Sequence, residues 1–138
     1  MSEGIRKARW RMLVIDDSSF VRRLTSAVFE EIGFEVLTAA DGAEGAQLGL
    51  SELFDVVVVD GVLPGLNGPD VCRKLAAQPP ERRPIIIFQS MTMNDYSSRQ
   101  AALSAGANIC LPKEALGNNL VEWVRQMLAA RQVIATAA

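Results

Sequence analysis

The sequence predicts an α/β fold in which a parallel sheet of five strands is covered by helices on both faces. The first observation is that short apolar segments alternate with longer segments of helical spacing, five times along the chain. The second is that the third and fourth apolar segments contain the runs VVVV and III, which are typical of parallel strands buried on both faces. Short connections between the segments favour right-handed crossovers. The 138 residues show no repeat and no linker, so we expect one domain.

The strand-like segments are apolar and rich in β-branched residues. They are MLVID (residues 12–16), FEVLTA (34–39), DVVVVD (55–60), PIIIFQ (84–89) and NICLP (108–112). The helical segments that follow them lie at residues 19–33, 41–50, 68–78, 94–107 and 118–132. The second helical segment contains internal glycines, which lower its intrinsic helix propensity.

Particular residues indicate where the helices begin and which faces they bury. Ser18 or Ser19 can cap the first helix, Gly33 can end it, and Asp41 can open the second. The spacing of the first helix places these apolar residues near one face: Phe20, Val21, Leu24, Val28 and Ile32. The last helix is predicted to turn these residues inward: Leu120, Val121, Val124, Met127 and Leu128.

Composition and charge exclude several classes of function. The formal net charge of −2 gives no reason to expect contact with nucleic acid or an anionic membrane surface. No stretch approaches the roughly 18 apolar residues that a membrane-spanning helix needs. The absence of histidine excludes a His-based triad, an HExxH zinc site and a phosphohistidine on this chain. Cys72 and Cys110 form no CxxC motif, so we expect free thiols and a cytoplasmic protein.

The chain divides by composition into three parts. Residues 1–11 form a basic arm, residues 12–131 hold the alternating strands and helices, and residues 132–138 form a C-terminal tail. The basic residues of the arm, set against the single acid Glu3, are Arg6, Lys7, Arg9 and Arg11. We interpret the arm as a solvated segment leading into the first strand, with contact to a partner as the alternative.

Polar side chains follow four of the five predicted strands at the point where each strand ends. In chain order they are Asp16, Asp17, Asp60, Gln89, Ser90 and Lys113. Because the carboxyl ends of parallel strands meet at one edge of a sheet, we expect these side chains to lie close together. Each has a structural alternative: the aspartates and the serine can cap turns or helices, and a lysine is often solvated. The conjunction, in this order, favours a functional site.

The chemistry of this set points to phosphoryl transfer. Three crowded carboxylates repel one another and stay ionised only beside a cation. Oxygen ligands without histidine or cysteine favour Mg²⁺. Lys113 adds a mobile positive charge, and phosphoryl transfer depends mostly on positioning and charge neutralisation. Asp60 is the predicted nucleophile, because a carboxylate can be phosphorylated to an acyl phosphate.

The sequence closely resembles the receiver domain of bacterial two-component response regulators, over residues 11–131. The motifs are LVIDDSSFVRR, GFEVLTAADGAEG, FDVVVVDGVLPGLNG, RPIIIFQS and SAGANICLPK. The resemblance implies a flavodoxin-like, doubly wound sheet of five parallel strands in the order 2-1-3-4-5, with five helices. It also implies a cytoplasmic phosphorylation switch and not a classical enzyme.

The resemblance assigns a role to each site residue. Asp60 resembles the phospho-acceptor, Asp17 a direct Mg²⁺ ligand and Asp16 a ligand that acts largely through water. The backbone carbonyl of Val62 resembles the third protein ligand, and Lys113 the lysine that pairs with the phosphoryl group. Pro64 and Gly68 match the loop that follows the phospho-acceptor.

Three positions depart from the family pattern. The hydroxyl residue expected at the end of the fourth strand is replaced by Gln89, with Ser90 one position later. Either Ser90 supplies the hydroxyl or the amide of Gln89 substitutes for it, and we favour Ser90. Cys110 replaces an aromatic residue, and Glu114 replaces a proline after Lys113, so a trans bond is expected there.

The leading hypothesis is a receiver that accepts a phosphoryl group from a histidine kinase or phosphotransfer protein. Phosphorylation would then change a protein-binding face made by the fourth helix, fifth strand and fifth helix, and a homodimer is also compatible with the family. The alternative is a receiver-like module that binds its partner without phosphorylation. An aspartyl-phosphate hydrolase needs an aspartate where Val62 stands, and a dinucleotide fold needs a GxGxxG motif that is missing.

We also hypothesise that the apolar side chain of Val62 hinders the placement of an attacking water. This would lengthen the lifetime of the acyl phosphate.

Overall fold

The structure is a computed structural model that describes residues 9–90, 96–113 and 118–137. The strands are β1 (Arg11–Ile15), β2 (Glu35–Ala39), β3 (Val56–Asp60), β4 (Ile85–Ser90) and β5 (Ile109–Pro112). The helices are α1 (Ser19–Glu31), α2 (Gly42–Ser51), α3 (Gly68–Ala76), α4 (Tyr96–Ser104) and α5 (Asn118–Ala137), with a short 3-10 turn at Pro80–Arg82. Three earlier predictions lie outside the described residues: the arm at 1–8, the start of the fourth helix at 94–95 and the peptide bond to Glu114.

All strand pairs are parallel, and the sheet order is β2-β1-β3-β4-β5. This confirms the predicted doubly wound architecture. Successive side chains of the central strands point alternately into two apolar cores, one on each face of the sheet. Leu13, Val57 and Ile86 face the core that contains α3, whereas Met12 and Val56 face the core that contains α5. The apolar runs of β3 and β4 are buried because both faces are covered.

The helices begin at the residues that the sequence indicated. The side chain of Ser18 accepts a hydrogen bond from the Val21 amide, which makes Ser18 and not Ser19 the N-cap of α1. Asp41 caps α2 by accepting from the Glu44 amide at 2.8 Å. Gly33 follows the end of α1 with a positive φ of 99°, a conformation that glycine adopts without strain.

The buried face of α1 differs from the predicted stripe. Phe20 is 64% exposed and Leu24 is 39% exposed. Helix α1 instead buries Thr25 and Phe29, and the Phe29 ring packs edge-on against Phe34 at 5.2 Å between centroids. Two neighbouring apolar stripes overlap on this helix, and its docking on the sheet selects the one that contains Phe29. The prediction for α5 holds better, since Leu120, Val124 and Leu128 are buried and Val121 and Met127 pack against them.

The first strand begins earlier and the last helix ends later than the sequence predicted. Arg11, assigned to the basic arm from sequence, is the first residue of β1, and its guanidinium pairs with Glu35 and Glu52. Because the guanidinium forms ion pairs with two acids of the folded domain, Arg11 is part of the fold and not of an arm. Helix α5 continues to Ala137, five residues beyond Gln132 where the helical spacing ended.

We expect Thr25→Val to stabilise the protein. The hydroxyl of Thr25 is buried and has no hydrogen-bond partner among the described residues. Burying an unsatisfied hydroxyl costs about 1–3 kcal/mol, whereas valine has nearly the same shape. Urea denaturation should show a free energy of unfolding about 1 kcal/mol higher than that of the wild type. A lower value would mean that the hydroxyl is satisfied in solution.

The two cysteines should differ in reactivity. Burial raises the pKa of the Cys72 thiol on α3 to about 12, and it also raises the pKa of the half-buried Cys110 thiol on β5. Because the thiolate is the reactive form, we expect a maleimide at pH 8 to label Cys110 slowly and Cys72 only after unfolding. Peptide mass mapping after timed labelling tests this expectation. Rapid labelling of Cys72 in the native protein would contradict it.

Candidate functional site

An acidic cluster lies at the carboxyl edge of the sheet. β1 and β3 are neighbours with Ile15 opposite Val59, so their next residues, Asp16 and Asp60, lie side by side. Carboxylate oxygens of Asp16, Asp17 and Asp60 all lie within 4.8 Å of one another. Asp16 and Asp60 are only 2% and 6% exposed, whereas Asp17 is exposed. The sheet order thus brings together the three acids that the sequence singled out.

Lys113 reaches this cluster from the end of β5. Its Nζ lies 2.7 Å from Oδ2 of Asp16 and 3.3 Å from Oδ2 of Asp60. Burial lowers the pKa of Lys113, but its hydrogen bond to Asp16 and the charges of both carboxylates outweigh that effect, so its pKa is raised. The ammonium therefore remains charged and neutralises part of the acidic cluster.

The environment of Asp60 disfavours its negative charge. Burial raises its pKa, and the charge of Asp16 raises it further. Lys113 and the Val62 amide lower it, but the net pKa stays above that of an ordinary carboxyl group. The Val62 amide donates to Oδ1 of Asp60 at 3.3 Å, which leaves Oδ2 facing Lys113. The two oxygens of Asp60 therefore have different partners and a defined orientation.

The loop after β1 is held by its own side chains and by one arginine. Oδ1 of Asp16 accepts from the Ser18 amide at 2.9 Å, and Nη1 of Arg22 donates to the Asp16 carbonyl at 2.8 Å. These contacts fix the backbone that carries the acidic pair. The sequence analysis did not select Arg22, although a basic residue one turn after a helix cap is placed to reach back to the preceding loop.

The end of β4 places Gln89, not Ser90, beside Asp60. Gln89 lies directly opposite Asp60 in the β3–β4 ladder. Side chains of paired residues share a face, and successive side chains of a strand point to opposite faces. Gln89 therefore shares the face of Asp60, and Ser90 points to the other face. Both side chains are buried, and Nε2 of Gln89 has no hydrogen-bond partner among the described residues. This register favours Gln89 over the Ser90 alternative.

The loop that follows Asp60 packs closely against it. A Cβ atom at Gly68 would lie 2.5 Å from the backbone oxygen of Asp60, closer than real contacts allow. Glycine at this position lets the start of α3 approach the end of β3. The same Cβ would also lie 3.0 Å from the Cα atom of Gly61, so the first residue of α3 packs directly against the backbone that follows β3.

The acidic cluster suits a hard divalent cation. Its donors are carboxylate oxygens from Asp16, Asp17 and Asp60, the ligand type that Mg²⁺ prefers. The Lys113 ammonium forms ion pairs with two of these carboxylates, those of Asp16 and Asp60, so the cluster binds a positive charge in this structure. The backbone carbonyl of Val62 remains a predicted further ligand.

Comparison with known proteins identifies the fold and the family. A profile of the response regulator receiver domain matches residues 12–125. The chain belongs to the response regulator receiver family. Response regulator MprA of Mycolicibacterium vanbaalenii is 35% identical over 118 residues, which cover 86% of this chain and 50% of that protein.

Solved receiver structures share the fold of this receiver domain. A response regulator receiver domain protein from Clostridium thermocellum is 26% identical, with a TM-score of 0.80 over 91% of this chain and 98% of that one. A CheY-like receiver domain protein from Methanospirillum hungatei has a TM-score of 0.83 at 24% identity, covering 90% of this chain and 97% of that one. The latter likeness supports the fold alone.

The family places this receiver in two-component signalling, where phosphoryl acceptance is the general function of such domains. The chain spans about half the length of the curated relatives it matches. Within the described residues, no helix combines the length and the apolar character that crossing a membrane requires.

Proposed function

We propose that Asp60 accepts a phosphoryl group from a phosphohistidine on another protein, a histidine kinase or a phosphotransfer protein, in a Mg²⁺-dependent reaction in the cytoplasm. The observation that carries the proposal is the position of Asp60. Its carboxylate is nearly buried, lies against two further carboxylates and faces the ammonium of Lys113. The 138 residues contain no histidine, so the phosphohistidine that donates the group lies outside them.

The proposed step transfers one phosphoryl group. A carboxylate oxygen of Asp60 forms a bond to phosphorus while the bond from phosphorus to the donor's imidazole nitrogen breaks. The imidazole leaves with the electron pair and takes up a proton, and Asp60 becomes an acyl phosphate. A Mg²⁺ ion held by Asp16, Asp17 and Asp60 would supply neutralisation of the phosphoryl charge.

The chain's own residues orient the acceptor and add positive charge. The Val62 amide holds one oxygen of Asp60, and Lys113 lies beside the other. Lys113 is therefore placed to pair with an oxygen of the transferred group, in agreement with the role that the family resemblance assigns to it. Arg22 and Ser18 hold the loop of the acidic pair and act as positioning residues.

We further propose that phosphorylation changes the face made by α4, β5 and α5, which then binds a downstream protein or a second copy of the chain. This part rests on the family resemblance. The alternative is a module that binds its partner without phosphorylation. The replacement of a hydroxyl residue by Gln89 motivates that alternative, because it alters the group beside the acceptor.

Intact-mass measurement after incubation with Mg²⁺ and acetyl phosphate tests phosphoryl acceptance. We expect a gain of one phosphate group that disappears when EDTA replaces Mg²⁺. The added mass should also be lost on treatment with hydroxylamine, which cleaves acyl phosphates. No gain in a folded protein that binds Mg²⁺ would contradict the proposal and favour the phosphorylation-independent module.

We expect Val62→Asn to shorten the lifetime of the acyl phosphate several-fold. The Val62 side chain is 77% exposed and its amide contacts Asp60, so it borders the open side of the site. An asparagine amide there could orient a water for attack on phosphorus, which valine cannot do. The decay of the phosphorylated mass after removal of the donor measures the lifetime. Leu53→Asn, at an exposed apolar residue before β3, is the control, and equal lifetimes in both variants would refute the hypothesis.

A further inference from the structure

We infer that a cavity at the amino edge of the sheet binds a small organic acid, whose apolar body enters the cavity and whose carboxylate pairs with the guanidinium groups of Arg83 and Arg131. Ile85, the first residue of β4, lines this cavity, whereas Asp60 lies near the other end of that strand, beside Gln89. The two sites are therefore at opposite edges of the sheet. The inference goes beyond the proposed function and does not depend on it.

The first argument is the size and the lining of the cavity. Its volume of about 480 Å³ lies in the range of roughly 300–1,000 Å³ that small-molecule sites occupy, and such sites are mostly apolar with a few polar groups. The apolar wall comes from four segments of the chain. Ala76 ends α3, Pro84 precedes β4, Gly106 follows α4 and Met127 lies on α5. A ligand with an apolar body would bury this surface, and burial of apolar surface favours binding.

Small residues leave the space of this cavity unfilled. Gly106 has a positive φ of 113°, and a Cβ atom at this position would lie 2.3 Å from Cβ of Ala76. Glycine therefore lets the turn after α4 pack against the end of α3 and form one wall. On the α5 side, Ala130 contributes only a methyl side chain to the lining. A large side chain at residue 130 would therefore occupy the cavity.

The second argument is that backbone carbonyls hold two cationic groups at the cavity. Nε and Nη2 of Arg83 donate to the Gln78 carbonyl at 3.1 and 2.8 Å. Nη1 of Arg131 donates to the Asp55 carbonyl at 3.2 Å, and its Nη2 donates to the Arg83 carbonyl. These bonds orient both guanidinium groups before a ligand binds. Nη1 of Arg83 and Nε of Arg131 donate to none of the described residues, so these donors can bind a ligand.

No acid neutralises either guanidinium group. The ion pairs between described residues involve Arg11, Arg73 and Lys113, and neither Arg83 nor Arg131 takes part in one. The described residues that line the cavity include no aspartate or glutamate. Guanidinium groups bind carboxylates through paired hydrogen bonds, which are stronger than hydrogen bonds between neutral groups. A carboxylate is therefore the ligand group that these two arginines favour.

A second, polar cavity of about 390 Å³ adjoins the apolar one, because Arg83 and Arg131 line both. Its charged wall residues are Arg11, Arg82, Arg83, Arg131, Asp55 and Glu81. The guanidinium of Arg11 pairs with Glu35 and Glu52, which do not line this cavity, so three other arginines remain beside two acids. This small positive excess favours a singly charged carboxylate over a doubly charged phosphate monoester.

The hydrogen bonds to backbone carbonyls also give these arginines a structural role at the amino edge. That role requires hydrogen-bond donors, but it requires no apolar cavity beside them. It also does not make the protein distinguish an anionic ligand from a neutral one. The difference in affinity between a charged and a neutral ligand is therefore the decisive measurement.

The test compares two fluorescent probes on the 138-residue chain, both of which emit more strongly in apolar surroundings. 8-Anilinonaphthalene-1-sulfonate carries one negative charge, and N-phenyl-1-naphthylamine has the same rings without the sulfonate. We expect the wild type to bind the charged probe more tightly than the neutral one. Arg131→Gln should weaken binding of the charged probe about tenfold and leave binding of the neutral probe unchanged. Added 1-naphthoate should displace the charged probe, whereas the neutral 1-naphthamide at the same concentration should not.

Further variants locate the probe and control for charge. Ala130→Phe places a ring in the cavity and should weaken binding of both probes. Arg125→Gln removes an exposed arginine of α5 that does not line the cavity, and it should change neither affinity. Melting curves establish that each variant is folded. Arg83→Gln takes the place of Arg131→Gln if the latter does not fold.

Four results would overturn the inference. They are no binding of the charged probe, equal affinity of the wild type for both probes, an equal loss of both probes in Arg131→Gln, and binding of the charged probe that Ala130→Phe leaves intact. The third result would mean that the arginine only shapes the cavity, and the fourth would place the probe elsewhere. The response to acetyl phosphate decides the proposed function separately. A wild type that gains no phosphate mass but binds the charged probe selectively would overturn the proposed function and leave this inference standing.

Discussion

Asp60→Asn should abolish phosphoryl uptake and, at the same time, stabilise the unmodified protein. Asparagine has no carboxylate to attack phosphorus, so acetyl phosphate should add no mass. The stabilisation follows from the cost of the Asp60 charge, which is buried beside Asp16 and has a pKa above the ordinary carboxyl value for those reasons. A neutral amide of the same shape removes that cost and relieves the repulsion within the acidic cluster.

The stability difference should depend on pH in a defined direction. Because the folded state raises the pKa of Asp60, it binds the proton more tightly than the unfolded state does. The contribution of Asp60 to stability is therefore most favourable at low pH and is lost as pH rises from the ordinary carboxyl pKa through the raised one. The advantage of Asp60→Asn should be largest at neutral pH and should shrink in acid.

Urea denaturation in EDTA at several pH values measures this difference. Glu122→Gln is the matched control, since it removes one negative charge from an exposed helix position. It should change the free energy of unfolding by less than about 0.5 kcal/mol and add no pH dependence of this kind. An Asp60→Asn variant that is less stable than the wild type at neutral pH would contradict this prediction. It would show that the attraction between Lys113 and the Asp60 carboxylate exceeds the free-energy cost of burying the Asp60 charge.

The fold was accessible from sequence because its signals are local and repeated. The runs in β3 and β4, the caps at Ser18 and Asp41 and the glycine after α1 each specify an element without knowledge of the rest. The buried face of α1 was not accessible in this way. Phe20 and Phe29 belong to two neighbouring apolar stripes on this helix, and the sequence does not indicate which stripe faces the sheet. Only the docking of the helix against the sheet determines that Phe29 is buried and Phe20 is exposed.

The site was also predictable only in part. Strand order alone brings Asp16 next to Asp60, so the positions of the two acids at the ends of parallel strands were enough to predict that they lie close together. The choice between Gln89 and Ser90 depends on the strand register, because a shift of one residue exchanges the faces of all side chains. Chemical type favoured the serine, and the ladder that pairs Gln89 with Asp60 favours the amide. The contact between Arg22 and the Asp16 carbonyl likewise depends on a helix orientation that composition does not reveal.

Lys113→Met should destabilise the metal-free protein strongly and make its stability dependent on Mg²⁺. The ammonium contacts Asp16 at 2.7 Å and Asp60 at 3.3 Å, and its side chain is 14% exposed. Removing one partner of a buried ion pair costs about 3–5 kcal/mol, and we expect about 2–3 kcal/mol here because the site is partly open to solvent. Saturating Mg²⁺ should restore most of this loss, since it supplies positive charge to the same carboxylates.

The same variant should bind Mg²⁺ more tightly than the wild type, because no ammonium competes for Asp16 and Asp60. Urea denaturation in EDTA and in Mg²⁺, together with a Mg²⁺ titration, gives both quantities. Lys74→Met removes an exposed lysine of α3 and should change neither. A loss of stability in Lys113→Met that is equal in EDTA and in Mg²⁺ would mean that the lysine contributes through packing alone. Weaker Mg²⁺ binding would mean that the ammonium orders the carboxylates for the metal instead of competing with it.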